Sequence, residues 1–292
     1  MKNSNPSSLY TSKNLFHTIG ELMRNGTRHK NADNYASTKT QVEAQIDAYD
    51  AAVAKQPIKL EAISPLWMAK CDESRTAHDM YDSQPKLIQR IRNDLMRING
   101  GGGIYRCPLC EVNEVYHLDH YIPREKMPEF SVHPLNLIYI CHDCNKNKGT
   151  KWLDGAGERV FFNAYFDRLS GKEVLECVVN DIVDGLPWAE VKKNTLTQFD
   201  TASMRELTTI KELEIDKRYG RIVNDRMQTQ IQIALNQVKI LKSEGKSMDE
   251  VWDFLTKSYH NALKGQIGIV ERLLLKGMCN SSVLKDWLDS NS

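Results

Sequence analysis

Two Cys-x-x-Cys pairs, Cys107/Cys110 and Cys141/Cys144, constrain this chain more than any other feature of its sequence. Four thiolates at that local spacing suit one tetrahedral zinc, because each pair can turn its backbone around the metal as a knuckle. Thirty residues, 111 to 140, separate the pairs, against roughly 15 to 20 in an ordinary zinc ribbon. The insert therefore has room for a hairpin with its own task. The other cysteines, Cys71, Cys177 and Cys279, bring the count to seven, an odd number that fits metal ligation in a reducing compartment better than a disulfide framework.

The opening segment, Met-Lys-Asn-Ser-Asn-Pro-Ser-Ser, has no apolar run of the kind a signal peptide needs, and the most apolar stretch, Ile267 to Leu275, is broken by Glu271 and Arg272. A cytoplasmic protein without a membrane span is the expectation. With 292 residues, 41% hydrophobic and 26% charged, the chain has the composition of an ordinary globular protein of about two domains. Its 39 Lys and Arg against 38 Asp and Glu leave a formal charge of +1. No global field holds it to nucleic acid, so such a partner requires a local patch.

Residues 1 to about 35 are polar, with a basic knot at Arg24, Arg28, His29 and Lys30, and read as a weakly ordered arm with a short helix near Asn14 to Met23. Val42, Ile46, Tyr49 and Val53 fall at helical spacing before Pro57. Ser83 and Pro85 open a second helix with the stripe Leu87, Ile88, Ile91, Leu95 and Ile98, which the run Gly100 to Gly103 ends as a candidate hinge. In residues 105 to 152 the alternation at Val115 to Tyr121 and the apolar run Leu135 to Ile140 predict a hairpin followed by a helix. From about residue 191 the periodicity is helical, with Ser247 and Glu250 forming a capping box.

Within and beyond the insert stand Leu118-Asp119-His120-Tyr121-Ile122-Pro123, then Asn136-Leu137, and after the second pair Asn145-Lys146-Asn147-Lys148-Gly149. In this order the segment resembles the HNH endonucleases, whose pattern is Asp-His before a Pro, an Asn-Leu pair, then Cys-x-x-Cys-Asn/His-x-x-Lys. The resemblance covers 45 residues, Cys107 to Lys151. It implies a ββα-metal fold, in which two strands and a helix clamp one divalent ion against a scissile phosphate. It also implies that Asn136 pins the loop behind His120 through its amide.

The residue types fit that chemistry by themselves. Phosphodiester hydrolysis needs a base for water and a cation for the charge on phosphate and leaving oxygen. His120 is the expected base, and Asp119 and Asn145 are hard oxygen ligands for Mg²⁺ or Mn²⁺. Neighbouring residues on a regular strand face opposite ways, so Asp119 and His120 can address one ion only where the strand ends, which Pro123 favours. His117, His133 and His142 are weaker candidates, since such histidines are more often structural. Lys146, Lys148, Lys151, Arg90 and Arg97 are the expected contacts to nucleic acid, the two arginines from the helical stripe Lys86, Arg90, Asn93 and Arg97.

The expected fold class is α+β, predominantly helical: an HNH core with a four-cysteine zinc site, flanked by helical regions. The expected domains are an N-terminal arm and helices (1–84), a nuclease domain (85–168) and a helical C-terminal domain (169–292). The expected function is metal-dependent endonucleolytic cleavage, with DNA as substrate. The alternative is a zinc-scaffolded, non-catalytic module that binds nucleic acid or protein, although a binder needs none of Asp119, His120 and Asn145. A further variant is a nuclease subunit delivered by a partner. Phe161-Phe162-Asn163-Ala164-Tyr165-Phe166-Asp167 is similar to nuclease subunits of Septu-type bacterial antiphage systems, which work with an ATPase. The apolar cluster Ile267, Ile269, Val270, Leu273, Leu274 and Leu275 is then read in two ways, as a docking surface for an ATPase subunit or a second copy, or as the core of an independent helical bundle.

Overall fold

A computed structural model describes residues 1–25, 30–101, 103–265 and 267–292. Arg28 and His29 of the basic knot and Gly102 of the glycine run lie outside the described residues. The chain mixes α and β, mostly helical, with two small two-stranded sheets. It forms two compact units, Met1–Ser170 and Gly171–Ser292.

The first unit comprises α1 (Ser12–Arg24), α2 (Lys30–Val53), α3 (Asp72–Ser83), α4 (Pro85–Gly100), β1 (His117–His120), β2 (Leu137–Ile140) and α5 (His142–Lys148). Thr11 caps α1 by accepting from the Asn14 N–H. Pro85 stands in the first turn of α4, where no backbone donor is missed, and Gly101 closes that helix at φ 55°, a left-handed conformation that glycine adopts without penalty. Leu15, Phe16 and Ile19, Val42 and Ile46, Met80, and Leu87, Ile88, Ile91 and Leu95 form one core with Leu118 of β1 and Leu137 of β2. A helical wall thus backs the hairpin, and the expected division at residue 84 is no boundary, because α1 to α3 and the hairpin bury the same surface. At Gly20 a Cβ would lie 2.1 Å from the Tyr35 ring, so that contact requires glycine.

The opening residues are not the weakly ordered arm that their polarity suggests. Lys2 N–H donates to the Pro108 carbonyl and Ser4 N–H to the Ala164 carbonyl, at 2.8 and 2.9 Å. Ser7 Oγ and Ser8 N–H both donate to Asp94 Oδ2, at 2.8 and 3.0 Å, and Arg97 pairs with Oδ1 at 2.7 Å. Polar side chains here serve as internal hydrogen-bond partners.

The second unit begins with an antiparallel hairpin, β3 (Leu175–Val183) and β4 (Leu186–Lys193), where a helical domain was expected from the later periodicity. Asp184 and Gly185 make its two-residue turn at φ 51° and 79°, the left-handed pair that a tight hairpin turn demands. α6 (Thr201–Glu212), α7 (Ile215–Ser243), α8 (Met248–Leu263), α9 (Ile269–Cys279) and α10 (Ser282–Ser290) follow. Ser247 and Glu250 cap α8 reciprocally. The Asn224 amide of α7 both accepts from and donates to the Ala189 backbone, at 2.9 and 2.8 Å, pinning β4 to the helix. Val270, Leu273, Leu274 and Leu275 are buried inside this unit. For these four the bundle-core reading of the stripe holds, while Ile267 and Ile269 are half-buried. Among the described residues no helix is long and apolar enough to cross a membrane.

Asp94 offers a test of the arm. Burial works to raise its pKa, but Arg97, Ser7 and Ser8 outweigh that and hold it below the usual carboxylate range. The fold thus favours the anion, and this contribution is present above about pH 4 and is lost as pH falls through the lowered pKa. Asp94→Ala is expected to destabilise the chain by about 1 to 3 kcal/mol, since Ser7, Ser8 and Arg97 lose hydrogen bonds to a buried carboxylate. Urea denaturation checks this, and the wild-type advantage should shrink at acid pH.

Candidate metal centre and active site

Cys107 and Cys110 sit on a tight turn in which Cys107 N–H donates to Asn113 O and Glu111 N–H donates back to Cys107 O, both at 2.8 Å. Glu111 takes φ 56° to close it. Cys141 is the residue that caps α5, and Cys144 lies in its first turn. The four sulfurs are buried and lie within 4.8 Å of one another. Cys110 Sγ and Cys141 Sγ are 3.8 Å apart, too far for a disulfide, whereas a tetrahedron with metal–sulfur bonds of about 2.3 Å has sulfur–sulfur edges of about 3.8 Å. The thiols of Cys107, Cys141 and Cys144 drive the Cys110 pKa down, and the same crowding drives that of Cys144 up. Several thiolates can coexist here only around a cation, so the cluster fits a zinc site.

The cysteine cluster, through α5, and the hairpin converge on one cleft. β1 pairs antiparallel with β2, Asp119 opposite Ile138 and His120 opposite Leu137. The strand ends at His120, which lets adjacent side chains reach the same space. Asp119, His120, His117 and Asn145 line an open cleft of about 390 Å³ together with Tyr81, Arg92, Arg124 and Glu125. His120 Nε2 is 2.8 Å from the Ser131 carbonyl. A carbonyl only accepts, so Nε2 carries the proton and Nδ1 is left as the basic nitrogen. Burial is the main force lowering the His120 pKa, to about 3, with Ser131 opposing and Arg124, Lys148 and His78 reinforcing. The Tyr81 ring stands edge-on to His120, centroids 4.8 Å apart.

Asn136 is fully buried. Its Oδ1 accepts from Ile122 N–H at 2.7 Å, and its Nδ2 donates to the Ile122 and Phe130 carbonyls at 3.0 and 3.1 Å. It ties together the two ends of the segment between the strands and does not line the cleft. Behind that segment Arg159 grips Asp167 with two hydrogen bonds, at 3.1 and 3.0 Å, and the Tyr121 hydroxyl donates to Phe161 O at 2.7 Å.

Lys148 corrects the sequence reading. Expected to meet phosphate, it is 3% exposed. Its Nζ donates to the His120 carbonyl at 2.7 Å and pairs with Asp119 Oδ2 at 3.0 Å. Burial raises the Asp119 pKa, and Lys148 pulls against it. Arg90, Arg97, Lys146 and Lys151 are exposed, but none of them lines the cleft. The cations that do are Arg92 and Arg124, both missed by the sequence reading. Arg92 follows Ile88 by four residues and precedes Leu95 by three, so its place beside the buried stripe of α4 was the available signal. Its Nε is buried with no partner. His117 Nε2 meets His142 Nδ1 at 3.0 Å at the rim, while buried His133 faces Asp50 at 3.2 Å in the helical core.

No family model matches the chain, and no solved structure matches it. A stretch of 41 residues is 44% identical to part of Protein ea31 of Escherichia phage lambda, covering 14% of this chain and 14% of that protein. A segment so short does not show a family.

Elemental analysis of purified protein is expected to find about one zinc per chain. Cys141→Ser is expected to lose the metal and unfold the first unit, because structural zinc contributes about 10 kcal/mol or more to small folds. Zinc content and circular dichroism check both, and a folded, zinc-free protein would contradict the assignment.

Proposed function

We propose that the chain is an HNH-type, metal-dependent hydrolase of nucleic-acid phosphodiester bonds, with DNA as its expected substrate. The observation that carries this reading is the meeting of Asp119, His120 and Asn145 in one cleft, with a four-cysteine cluster fixing the helix that bears Asn145. β1, β2 and α5 then correspond to the ββα core of the HNH pattern.

Asp119 and Asn145 offer the oxygens that would hold a Mg²⁺ or Mn²⁺, and the Asn145 side chain has no other partner among the described residues. Such an ion, when bound, supplies a Lewis acid for the phosphate and the leaving oxygen. The protein's own groups do the rest. His120 Nδ1 takes a proton from the attacking water, while the Ser131 carbonyl holds the ring in the tautomer that leaves Nδ1 free. Tyr81 packs against the ring and restricts its rotation. Arg92 and Arg124 can meet the phosphate oxygens with directed N–H donors. A binding module has no need of a base held in one tautomer beside two hard oxygen donors.

The proposal does not extend to antiphage defence. Phe161, Phe162, Asn163 and Asp167, which carry that resemblance, are buried and hold the first unit together. Their local roles explain them without a partner.

Nicking of supercoiled plasmid tests the reading. Cleavage is expected with added Mg²⁺ or Mn²⁺ and not without, using omission rather than a chelator, which would also strip zinc. His120→Ala is expected to lose roughly 10²-fold or more of the rate, the usual scale of general-base catalysis, with zinc content and fold unchanged. Equal cutting by wild type and His120→Ala would remove the mechanism, and loss on His117→Ala alone would shift the base to that residue.

A further inference from the structure

Two smaller depressions continue the cleft along α3. The first, about 210 Å³, contains Lys70, Arg75 and His78 and shares Arg124 and Glu125 with the cleft. The second, about 240 Å³, shares Lys70, Ser74, Glu125 and Pro128 with the first and adds Trp67, Met68 and Lys126. A single groove therefore leads from Asp119 and His120 past Arg124 to Trp67. From Tyr81 at the cleft to Ser74 at the far depression it follows seven residues of α3, about 10 Å at about 1.5 Å per residue.

Its charge is unlike that of the whole chain. Lys70, Arg75, Arg92, Arg124 and Lys126 line it against Asp119 and Glu125, and buried Lys148 already meets Asp119. Arg75 and Arg124 pair with Asp72 and Asp82, but these carboxylates are 64% and 60% exposed. The exposed Arg75 pair is worth little, so its guanidinium can turn to a phosphate. Arg124, 22% exposed and donating also to the His78 carbonyl at 3.4 Å, is held in place where the groove meets the cleft. The far end is apolar. Met68 is 89% exposed and Trp67 half-buried. The loop carrying them is fastened where Leu66 N–H donates to the buried Glu129 carboxyl at 2.6 Å. A cationic track ending at Trp67, which lines the groove while packing partly against the helical core, suits an unpaired strand, whose phosphates and base faces are both accessible; in a duplex the base faces are hidden in the stack.

We propose that this groove receives a single-stranded stretch of nucleic acid flanking the bond to be cut, with phosphates on Lys70, Arg75 and Arg124 and a base stacked on Trp67. The word "cut" rests on the hydrolase reading; the binding does not. The test titrates full-length protein, without added divalent ion, into labelled thymidine and uridine oligonucleotides of about 12 nucleotides and into a blunt DNA duplex of equal length. The two single strands separate DNA from RNA preference. Lys70→Ala/Arg75→Ala is expected to weaken single-strand binding about tenfold or more and to reduce the slope of log affinity against log salt by about 0.7 per lost phosphate contact. Trp67→Ala is expected to weaken it about tenfold with the salt slope unchanged. Both variants should hydrolyse bis(p-nitrophenyl) phosphate, which fills only the cleft, as fast as wild type. Variants that keep wild-type affinity and salt slope, or a duplex bound as tightly as the single strands, would overturn the proposal. A wild type that binds the strands through these residues but cleaves neither them nor the small ester leaves the groove standing and removes the hydrolase reading.

Discussion

Everything that positions the cleft depends on four sulfurs sharing one small volume. Crowded thiols resist ionising together, and the cluster becomes stable only when a cation balances them. Once it closes, Cys141 fixes the first turn of α5, and the Asn145 N–H donates to the Cys141 carbonyl at 3.1 Å. A metal held there would thereby set the point at which Asn145 emerges, four residues on and across from β1. The other knuckle is no less connected, since the Pro108 carbonyl between its cysteines accepts the Lys2 amide.

A second constraint is electrostatic. Asp119 and Lys148 are both largely taken out of water, at a cost that their contact and the His120 backbone offset. Removing one member of such a pair typically costs about 3 to 5 kcal/mol because the other charge is stranded. Lys148 thus neutralises the floor of the cleft and leaves attraction at its mouth to Arg92 and Arg124. In a chain of almost zero net charge, the placing of a few cations decides where an anion goes.

What the sequence makes legible here is local. The four-cysteine cluster is readable because knuckle spacing is a property of a few adjacent residues, and α4 because its stripe and Pro85 lie within one element. The Ser247–Glu250 box is readable for the same reason. Tyr81, Arg92 and Arg124 reach the cleft from three separate elements, and no periodicity announces such a meeting. Lys148 has the pattern of a surface lysine, and only its partners across β1 reveal that it points inward. The β3–β4 hairpin was available in Asp184-Gly185 after the β-branched run Val178, Val179, Ile182 and Val183, but the helical signal that follows dominates any coarse reading. The polar opening residues mislead in the opposite way, since their hydrogen-bond partners lie about 90 to 160 positions ahead.

That last separation has a consequence in time. Asn3 Nδ2 donates to the Asp167 carbonyl, and the Ser4 amide to that of Ala164, so residues made before the helices of the first unit find their partners among the last residues of that unit. Closing a loop of that length carries an entropic cost that only a largely formed core can offset. On a ribosome the helices and the cysteine cluster can therefore assemble early, whereas the seam that locks the unit waits for residue 167 to clear the exit tunnel. Until then the chain resembles a folded hand with its clasp undone.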